Sequence, residues 1–431
     1  MKPRALLVCS ESSNHLQTGI SKRIFQIANL LRDDYQISLA TPNPEDLIID
    51  SSIPLLSLRD SSFPSQLKTF ELLYASAHIY PTIPGISSFQ GKRLLDLYTP
   101  FFLEHDATLQ KDFSHSCLQR AWLDRALLVN SLQDGDLFLS GSPEQGHLYR
   151  GQLELIRPIH TPGIVELPFV LYPRVNQRSN GPFHLCWVGG MWKWFEPDPL
   201  LEVLPDFFQN SDCRLSIVGA KHPFDPQIHN QETLNQFEAL SDTYPERVQI
   251  LPWLSFDQYI DFLKTVDGAI VLHRDTPEAT YCLRTRFCEL LELGIPLICS
   301  KGGFYAKFIE EKQIGYVIEE NSSQEVQIAL QKMVDSKNGL AGSFAPIYAA
   351  FSFPRLQCRL REALLKPVRK KEPQNPYLNI STVPFFYERF RILEAWRRDF
   401  RFFFLKAMKA LITRLSRWKI SQYVLKLDVF R

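Results

Sequence analysis

Short apolar runs alternate with amphipathic stretches along most of this chain. The first run, residues 5–9, is followed by a polar loop with Gly19 and then by apolar residues at three- and four-residue spacing: Ile20, Ile24, Ile27, Leu30 and Leu31. A short apolar run predicts a buried strand, and the spacing predicts a helix. A second run, residues 36–40, stops at the proline-rich TPNP segment. Strand, loop, helix and strand in this order predict the opening of a parallel α/β sheet.

The same alternation continues to about residue 167, with further predicted strands at residues 94–98, 137–139 and 163–167. Residues 170–182 then contain YPRVNQRSNGP, a polar stretch with Pro and Gly at its ends and no periodicity. Such a stretch predicts a linker between domains. We therefore expect residues 1–175 to form an N-terminal Rossmann-like domain.

A second alternating series begins directly after the linker. Strands are predicted in HLCWVGG, RLSIVGAKHP, VQILPW, GAIVLH, PLICS and GYVI, and helices in PLLEVLPDFF, SFDQYIDFLKTV and residues 285–293 and 304–312. Alternation over about 165 residues indicates a doubly wound parallel sheet. We assign residues 183–365 to this second domain, so the predicted fold class is α/β with two Rossmann-like domains facing a cleft.

The net charge of +1 conceals an uneven distribution. Residues 366–431 hold 16 Lys/Arg and 5 Asp/Glu, a balance of +11, which leaves 32 basic and 42 acidic residues, a balance of −10, for the rest. The terminal segment predicts a basic amphipathic helical extension, with an aromatic and aliphatic stripe over residues 385–419.

Two interpretations of this extension remain open. Trp396, Trp418 and the flanking arginines favour a helix lying in the plane of an anionic membrane surface. The alternative is a helix that packs on the acidic body or on a partner, because a stripe at helical spacing is often part of a core. A nucleic-acid partner is not expected, since no recognition motif accompanies the charge.

The cysteines and the N-terminus predict the compartment. None of the eight cysteines forms a CxxC pair or has zinc-ligand spacing, and several lie in apolar runs, so we expect reduced core residues in the cytoplasm. The first apolar run is too short for a signal peptide, and no run of 18 apolar residues occurs. A peripheral position on the cytoplasmic face of a membrane fits the basic extension.

The segment YCLRTRFCELLELGIPLICSKGG, residues 281–303, is the most informative for chemistry. Arg284 and Arg286 precede a predicted helix that carries Glu289. In a doubly wound sheet, ligands bind beyond the carboxyl ends of the strands, where helix N-termini and arginines bind phosphate. A carboxylate one turn into the helix accepts hydroxyl groups of a ribose or sugar. These residue types suit a sugar nucleotide, although surface ion pairs and a solvent-facing Glu289 would explain the same spacing.

The pattern RTRxxELLELGIPLI followed by KGG resembles the donor-binding region of GT-B glycosyltransferases, specifically a bacterial polysaccharide branch of glycosyltransferase family 4. WVGGMWKWFEPDPL, SIVGAKHP, the Pro-Trp-Leu turn at 252–254 and the strand end at 271–273 resemble further landmarks in the same order. The resemblance covers roughly residues 3–335 and is strongest over 183–318.

The resemblance implies site residues in the second domain. Glu289 takes the place of the second glutamate of the family's E-x7-E motif, whereas Tyr281 stands where the first would be and Glu278 lies nearby. A predicted catalytic set follows: Lys193, Lys221, Arg284, Arg286 and Glu289. The predicted donor-binding set is Gly189, Gly190, His222, Trp253, Glu278, Gly302 and Gly303.

The resemblance also implies a mechanism, namely transfer that retains the anomeric configuration without a metal. Negative charge grows on the β-phosphate as the glycosidic bond breaks, and prepositioned cations stabilise it. We therefore expect no metal site and no cofactor besides the donor substrate, and the sequence has no DxD at a credible strand end.

Loops of the first domain are expected to bind the acceptor. The candidates are Gly19, Glu104 and His115, although Gly19 also suits a plain turn and a lone histidine is often structural. Glu104 and Asp106 together suggest a glycosidase, which needs two carboxyl groups about 5 Å apart. That alternative usually occurs on another fold.

The function we expect is transfer of a hexose-type sugar from a nucleotide-diphosphate sugar to a glycan or lipid-linked acceptor, in surface polysaccharide or glycolipid biosynthesis. The missing first glutamate favours a non-catalytic relative that binds a glycan or scaffolds an assembly. A sugar-nucleotide epimerase is a further alternative, although it leaves the extension unexplained.

Overall fold

The computed structural model describes residues 2–9, 19–46, 53–111, 113–157, 161–176, 181–221, 230–337 and 342–367. The predicted extension at 366–431 lies almost wholly outside them. In the described residues, two parallel sheets form two lobes.

The first lobe contains a seven-stranded sheet in the order β3-β2-β1-β4-β5-β6-β7. Its strands are β1 (Arg4–Val8), β2 (Gln36–Thr41), β3 (Leu55–Ser57), β4 (Leu72–Ser76), β5 (Lys92–Asp96), β6 (Leu137–Ser140) and β7 (Gly163–Glu166). Its helices are α1 (Gly19–Leu31), α2 (Phe63–Leu67), α3 (Phe101–Lys111), α4 (His115–Asp134) and α5 (Pro143–Ile156), with short 3-10 helices at Pro44–Asp46, Tyr80–Thr82 and Ile86–Ser88.

The second lobe contains a six-stranded sheet in the order β10-β9-β8-β11-β12-β13. Its strands are β8 (His184–Val188), β9 (Arg214–Val218), β10 (Val248–Leu251), β11 (Gly268–Val271), β12 (Leu297–Ser300) and β13 (Gly315–Ile318). The helices that follow the linker are α6 (Asp198–Asn210), α7 (Gln231–Thr243), α8 (Phe256–Leu263), α9 (Pro277–Tyr281), α10 (Arg286–Glu292), α11 (Phe304–Glu311), α12 (Ser323–Asp335), α13 (Ala345–Ala350) and α14 (Phe353–Leu365).

Both sheets are parallel throughout and covered on both faces, which explains their nearly continuous apolar strands. Along β1, Ala5 and Leu7 join one apolar cluster of the first lobe, while Leu6 and Val8 join the other. This alternation follows from the two-residue period of a strand. The predicted α/β fold class with two Rossmann-like domains is confirmed.

Helix α14 leaves the second lobe and packs on the first. Its buried residues Leu356, Leu360 and Ala363 belong to the cluster around α1 and β1. Gln357 Nε2 donates to the Leu30 carbonyl at 3.2 Å, and Arg361 Nε lies 2.5 Å from an Asp34 carboxylate oxygen. Residues 353–365 fall within the predicted second domain, whereas their apolar face is buried against the first lobe.

All eight cysteines are free, and six of them are buried. Among the helices that the structure describes, none combines the length and apolar character needed to cross a membrane.

Candidate functional site

A cavity of about 500 Å³ lies between the lobes, at the carboxyl ends of both sheets. Tyr98 and Thr99 follow strand β5, whereas Gly189, Gly219 and Trp253 follow strands β8, β9 and β10. This position is where open parallel sheets bind ligands, because their loops converge there. The volume falls in the range of small-molecule sites, roughly 300–1,000 Å³.

Two glycines open the second lobe's side of the cavity. Gly189 has a φ of 81°, a left-handed conformation that glycine adopts without strain. A Cβ built on Gly190 would lie 2.0 Å from the Trp192 ring. A side chain at either position would therefore disturb the loop, and both glycines line the cavity.

Arg286 is fixed beside these glycines at the start of α10. Its guanidinium donates to the carbonyls of Val188 at 2.8 Å and Gly190 at 3.2 Å, and it lies 4.2 Å from the centre of the Phe195 ring. Burial, followed by repulsion from Arg284, lowers the pKa of Arg286 to about 9, so it stays charged at neutral pH. Arg286 lines the cavity and has further N–H donors for an anion.

Arg284 has a different environment from the one its spacing suggests. Its two terminal nitrogens donate to the two carboxylate oxygens of Glu278, at 3.1 and 2.8 Å. Both side chains are buried, with 8% and 2% exposure, and neither lines the cavity among the described residues. Arg284 and Glu278 thus form a mutual bidentate ion pair outside the described cavity wall. The diphosphate contact of Arg284 and the donor contact of Glu278 stay predictions.

Glu289 lines the cavity and has a partner from the other lobe. Lys22 Nζ, in the first turn of α1, lies 2.5 Å from a Glu289 carboxylate oxygen. Burial alone would lower the pKa of Lys22, but the Glu289 carboxylate raises it above its ordinary value. Lys22 therefore stays protonated, and the pair joins the two lobes across the cavity.

Two other predicted cations lie away from the cavity lining. Lys221 Nζ is 2.7 Å from a Glu238 oxygen in a half-exposed surface pair. Lys193 follows the Gly189-Gly190 loop and is not among the described lining residues. His222 lies outside the described part of the chain. Of the four predicted cations, Arg286 is the one that the structure places in the described cavity wall.

The remaining residues predicted to bind the donor also differ in whether they line the cavity. Trp253 lines the cavity. Gly302 and Gly303 lead into α11 with φ values of 100° and 78°, and a Cβ on Gly303 would lie 2.8 Å from the Ala279 carbonyl. Gly303 therefore packs the α11 turn against the α9 segment, and neither glycine belongs to the described cavity wall.

On the first lobe's side, Gly19 and Glu104 line the cavity. A Cβ on Gly19 would lie 2.9 Å from the Thr285 side chain, so this glycine lets the two lobes approach closely. His115 instead lies at the start of α4, with Nε2 3.1 Å from Gln119 Nε2, and is not part of the described lining. The acceptor-side role of His115 therefore stays a prediction.

The carboxyl group of Glu104 lies in an unusual environment. Burial, together with the nearby Glu278, raises its pKa to about 8, although Arg284 opposes this rise. Oxygens of Glu104 and Glu278 and the thiol of Cys282 all lie within 4.8 Å of one another. Asp106, two residues further along α3, pairs with Arg125 at 2.6 Å and does not line the described cavity. The two carboxyl groups of the glycosidase alternative are therefore not brought together there.

Sequence reasoning missed three basic residues of the described cavity wall: Lys22, His105 and Arg120. His105 is hydrogen-bonded to Asp124, and Arg120 lies 3.4 Å from the same carboxyl group. The sequence could have identified Lys22 as a site residue. It lies three positions after Gly19, a predicted site residue, in the first turn of the predicted helix. Asp124 lies 19 positions after His105, so no local pattern could identify that pair.

Comparison with solved structures defines the class of fold. Sucrose-phosphate synthase from Thermosynechococcus elongatus is 13% identical with a TM-score of 0.63, covering 84% of this chain and 98% of that chain. HepE from Anabaena, solved in complex with UDP and glucose, is 15% identical with a TM-score of 0.61, covering 85% and 100%. WaaG, a glycosyltransferase involved in lipopolysaccharide biosynthesis, is 12% identical with a TM-score of 0.54, covering 84% and 96%. At these identities the likeness establishes the fold, which is GT-B.

The sequence match covers a shorter part of the chain than the structural matches do. Residues 172–342 match the family model for glycosyl transferases group 1. The matched segment includes all six described strands of the second lobe, the loop residue Gly189, and helix α10 with Arg286 and Glu289. No curated protein matches this sequence.

Proposed function

We propose that the protein is a retaining glycosyltransferase that moves a hexose-type sugar from a nucleotide-diphosphate sugar to a glycan or lipid-linked acceptor. The observation that carries this proposal is the cavity between the two lobes, with the Gly189-Gly190 backbone and Arg286 on one side and Glu104 on the other. The group 1 glycosyltransferase match over residues 172–342 supports it. We place the reaction in surface polysaccharide or glycolipid biosynthesis, at the cytoplasmic face of a membrane.

The proposed chemistry is stabilisation of the departing diphosphate by fixed positive charge. Arg286 is held in place by two backbone carbonyls, so little reorganisation is needed when charge develops on the β-phosphate. Lys193 and Lys221 remain proposed contributors. Because a guanidinium supplies the charge, we propose that neither a metal ion nor another cofactor takes part.

Calorimetric titration tests the donor proposal. HepE was solved in complex with UDP-glucose, so UDP and UDP-glucose are the first probes, followed by the GDP and dTDP equivalents. We expect at least one diphosphate to bind in the presence of EDTA, and its sugar nucleotide to be hydrolysed or to donate its sugar with retention. Absence of binding across all three bases would contradict the proposal.

A matched pair of variants shows whether Arg286 takes part. Arg286→Ala is expected to weaken diphosphate binding at least tenfold, about 1.4 kcal/mol. Arg214→Ala removes an exposed arginine at the opposite, amino end of strand β9 and should leave binding unchanged. Equal effects of both substitutions would indicate a loss of general charge attraction.

A non-catalytic sugar-nucleotide-binding protein is the second candidate. It is favoured by the Glu289 ion pair with Lys22 and by Tyr281 at the position of the first E-x7-E glutamate. Sugar-nucleotide binding without hydrolysis or transfer to any acceptor would support it. Formation of an epimeric sugar nucleotide in the same assay would instead indicate an epimerase.

A further inference from the structure

Two carboxyl groups line the cavity within the described residues, those of Glu104 and Glu289. Glu289 is bound to Lys22, and Glu278, the other glutamate near the missing first position of E-x7-E, is bound by both terminal nitrogens of Arg284. Glu104 makes no ion pair in the described structure. It therefore has hydrogen-bonding capacity available to a ligand.

The position of Glu104 connects the acceptor lobe with the donor lobe. It lies in the first turn of α3, and its carboxyl oxygen is 4.0 Å from the Cys282 thiol of the second lobe. Cys282 immediately follows Tyr281, the residue that stands in place of the first glutamate. A first-lobe carboxyl group thus reaches the segment from which a second-lobe carboxylate is missing.

We propose that Glu104 hydrogen-bonds a hydroxyl group of the transferred sugar, replacing from the first lobe the carboxylate that this second lobe lacks at Tyr281. This inference rests on the proposed function. It changes the predicted role of Glu104 from acceptor binding to recognition of the donor sugar.

Hydrogen bonding fits this cluster better than coordination of a metal ion. Glu104, Glu278 and Cys282 offer three ligand atoms within 4.8 Å of one another. However, the Arg284 guanidinium already contacts both Glu278 oxygens, so a cation placed there would face a fixed positive charge at close range. A sugar hydroxyl carries no charge and meets no such repulsion.

The charges around Glu104 also define its hydrogen-bonding character. Glu278, Arg284 and Cys282 face it from the second lobe, Asp124 from α4 and Tyr149 from α5. Burial and the carboxylates raise the pKa of Glu104 to about 8, so the group is mostly neutral at pH 7. A neutral carboxyl group donates one hydrogen bond and accepts others, which matches a sugar hydroxyl.

The experiment compares each sugar nucleotide with its own diphosphate: UDP-glucose with UDP, GDP-mannose with GDP and dTDP-glucose with dTDP. For the pair that binds, Glu104→Ala should weaken the affinity for the sugar nucleotide about 3- to 10-fold, the range expected for one hydrogen bond. The affinity for the diphosphate should stay unchanged. Glu144→Ala is the matched control, because Glu144 also joins the lobes, through Lys307 at 2.5 Å, but does not line the cavity. It should change neither affinity.

The pH profile of Glu104→Gln provides a second test that does not depend on the alanine variant folding. Wild-type sugar-nucleotide affinity should fall above about pH 8, as Glu104 ionises and loses its donor hydrogen. Glutamine keeps a donor and an acceptor, so the variant should bind within about threefold of wild type at pH 7 and lose the decline at high pH.

Each contrary outcome has a distinct meaning. Equal weakening of diphosphate and sugar nucleotide by Glu104→Ala would overturn the inference, because it indicates a structural role. An unchanged sugar-nucleotide affinity, or a decline at high pH that persists in Glu104→Gln, would overturn it as well. Failure of the wild-type protein to bind any of the three diphosphates would instead overturn the proposed function, and this inference with it.

Discussion

The ion pair between Arg284 and Glu278 shows how one contact changes the meaning of a sequence pattern. Spacing alone predicts an arginine directed at phosphate, but Glu278 lies six positions earlier and takes both terminal nitrogens. Arg284 therefore positions the α9 segment, and Arg286 is the arginine that reaches the cavity wall. The sequence shows which charged residues are present, whereas the partner of each charged group depends on how the loop folds.

Substitution of Arg284 is consequently expected to affect stability strongly. Arg284→Ala leaves Glu278 buried without its partner and should lower the free energy of unfolding by about 3–5 kcal/mol. Lys221→Ala removes an exposed pair and should cost at most about 1 kcal/mol. Urea denaturation at pH 7 measures both.

A double substitution provides the internal check on this prediction. Arg284→Met combined with Glu278→Met removes both charges and should recover much of the lost stability, because no buried charge is left unpaired. A double variant as unstable as Arg284→Ala would show that the pair is not the source of the loss.

At the scale of elements, helix α14 joins the end of the second lobe to the first. Its contacts are apolar along Leu356, Leu360 and Ala363, with polar contacts from Gln357 and Arg361 at the edges. This helix therefore contributes to the first lobe's core, although about 190 residues of the chain separate it from β7.

Leu360→Ala tests that contribution. Leu360 is 1% exposed, so truncation should lower the free energy of unfolding by about 2–5 kcal/mol. Leu365, in the same helix, is 84% exposed, and Leu365→Ala should change stability by at most about 0.5 kcal/mol. Similar effects of the two substitutions in chemical denaturation would contradict the described packing.

The predictable elements are those with a strong periodic pattern. The spacing of Ile20, Ile24, Ile27 and Leu31 predicts α1 to within one residue, and every predicted second-lobe strand is present. The pattern does not predict β3, which has three half-buried residues, or β4, a five-residue buried strand whose short apolar run periodicity cannot distinguish from a buried helix turn. For α14, an apolar face predicts burial but not the lobe that covers it.

At the scale of the whole molecule, contacts far apart in sequence define the candidate site. Lys22 and Glu289 are 267 positions apart, and Glu144 and Lys307 are 163 apart. Pattern analysis predicts two lobes and a cleft, but it cannot show which residues face each other across that cleft. The ion pair of Lys22 with Glu289 therefore became visible only in three dimensions.

The basic extension is testable although it lies outside the described residues. Residues 366–431 carry a balance of +11, so the intact chain should float with anionic liposomes at low salt, at roughly 1 kcal/mol per basic residue near the surface. Truncation after Pro367 should abolish flotation, and 0.5 M salt should weaken that of the intact chain. Unchanged flotation of the truncated chain would contradict membrane anchoring by the extension and leave packing on the body or a partner.

One link between the lobes uses backbone atoms on both sides. The Gln145 side-chain amide, held by the Gly141 N–H at 2.7 Å, donates to the carbonyls of Tyr98 and Tyr281, each at 2.6 Å. A carbonyl is the same whatever side chain its residue carries. Position 281 can therefore exchange its side chain, tyrosine for glutamate included, while the contact between the lobes is kept.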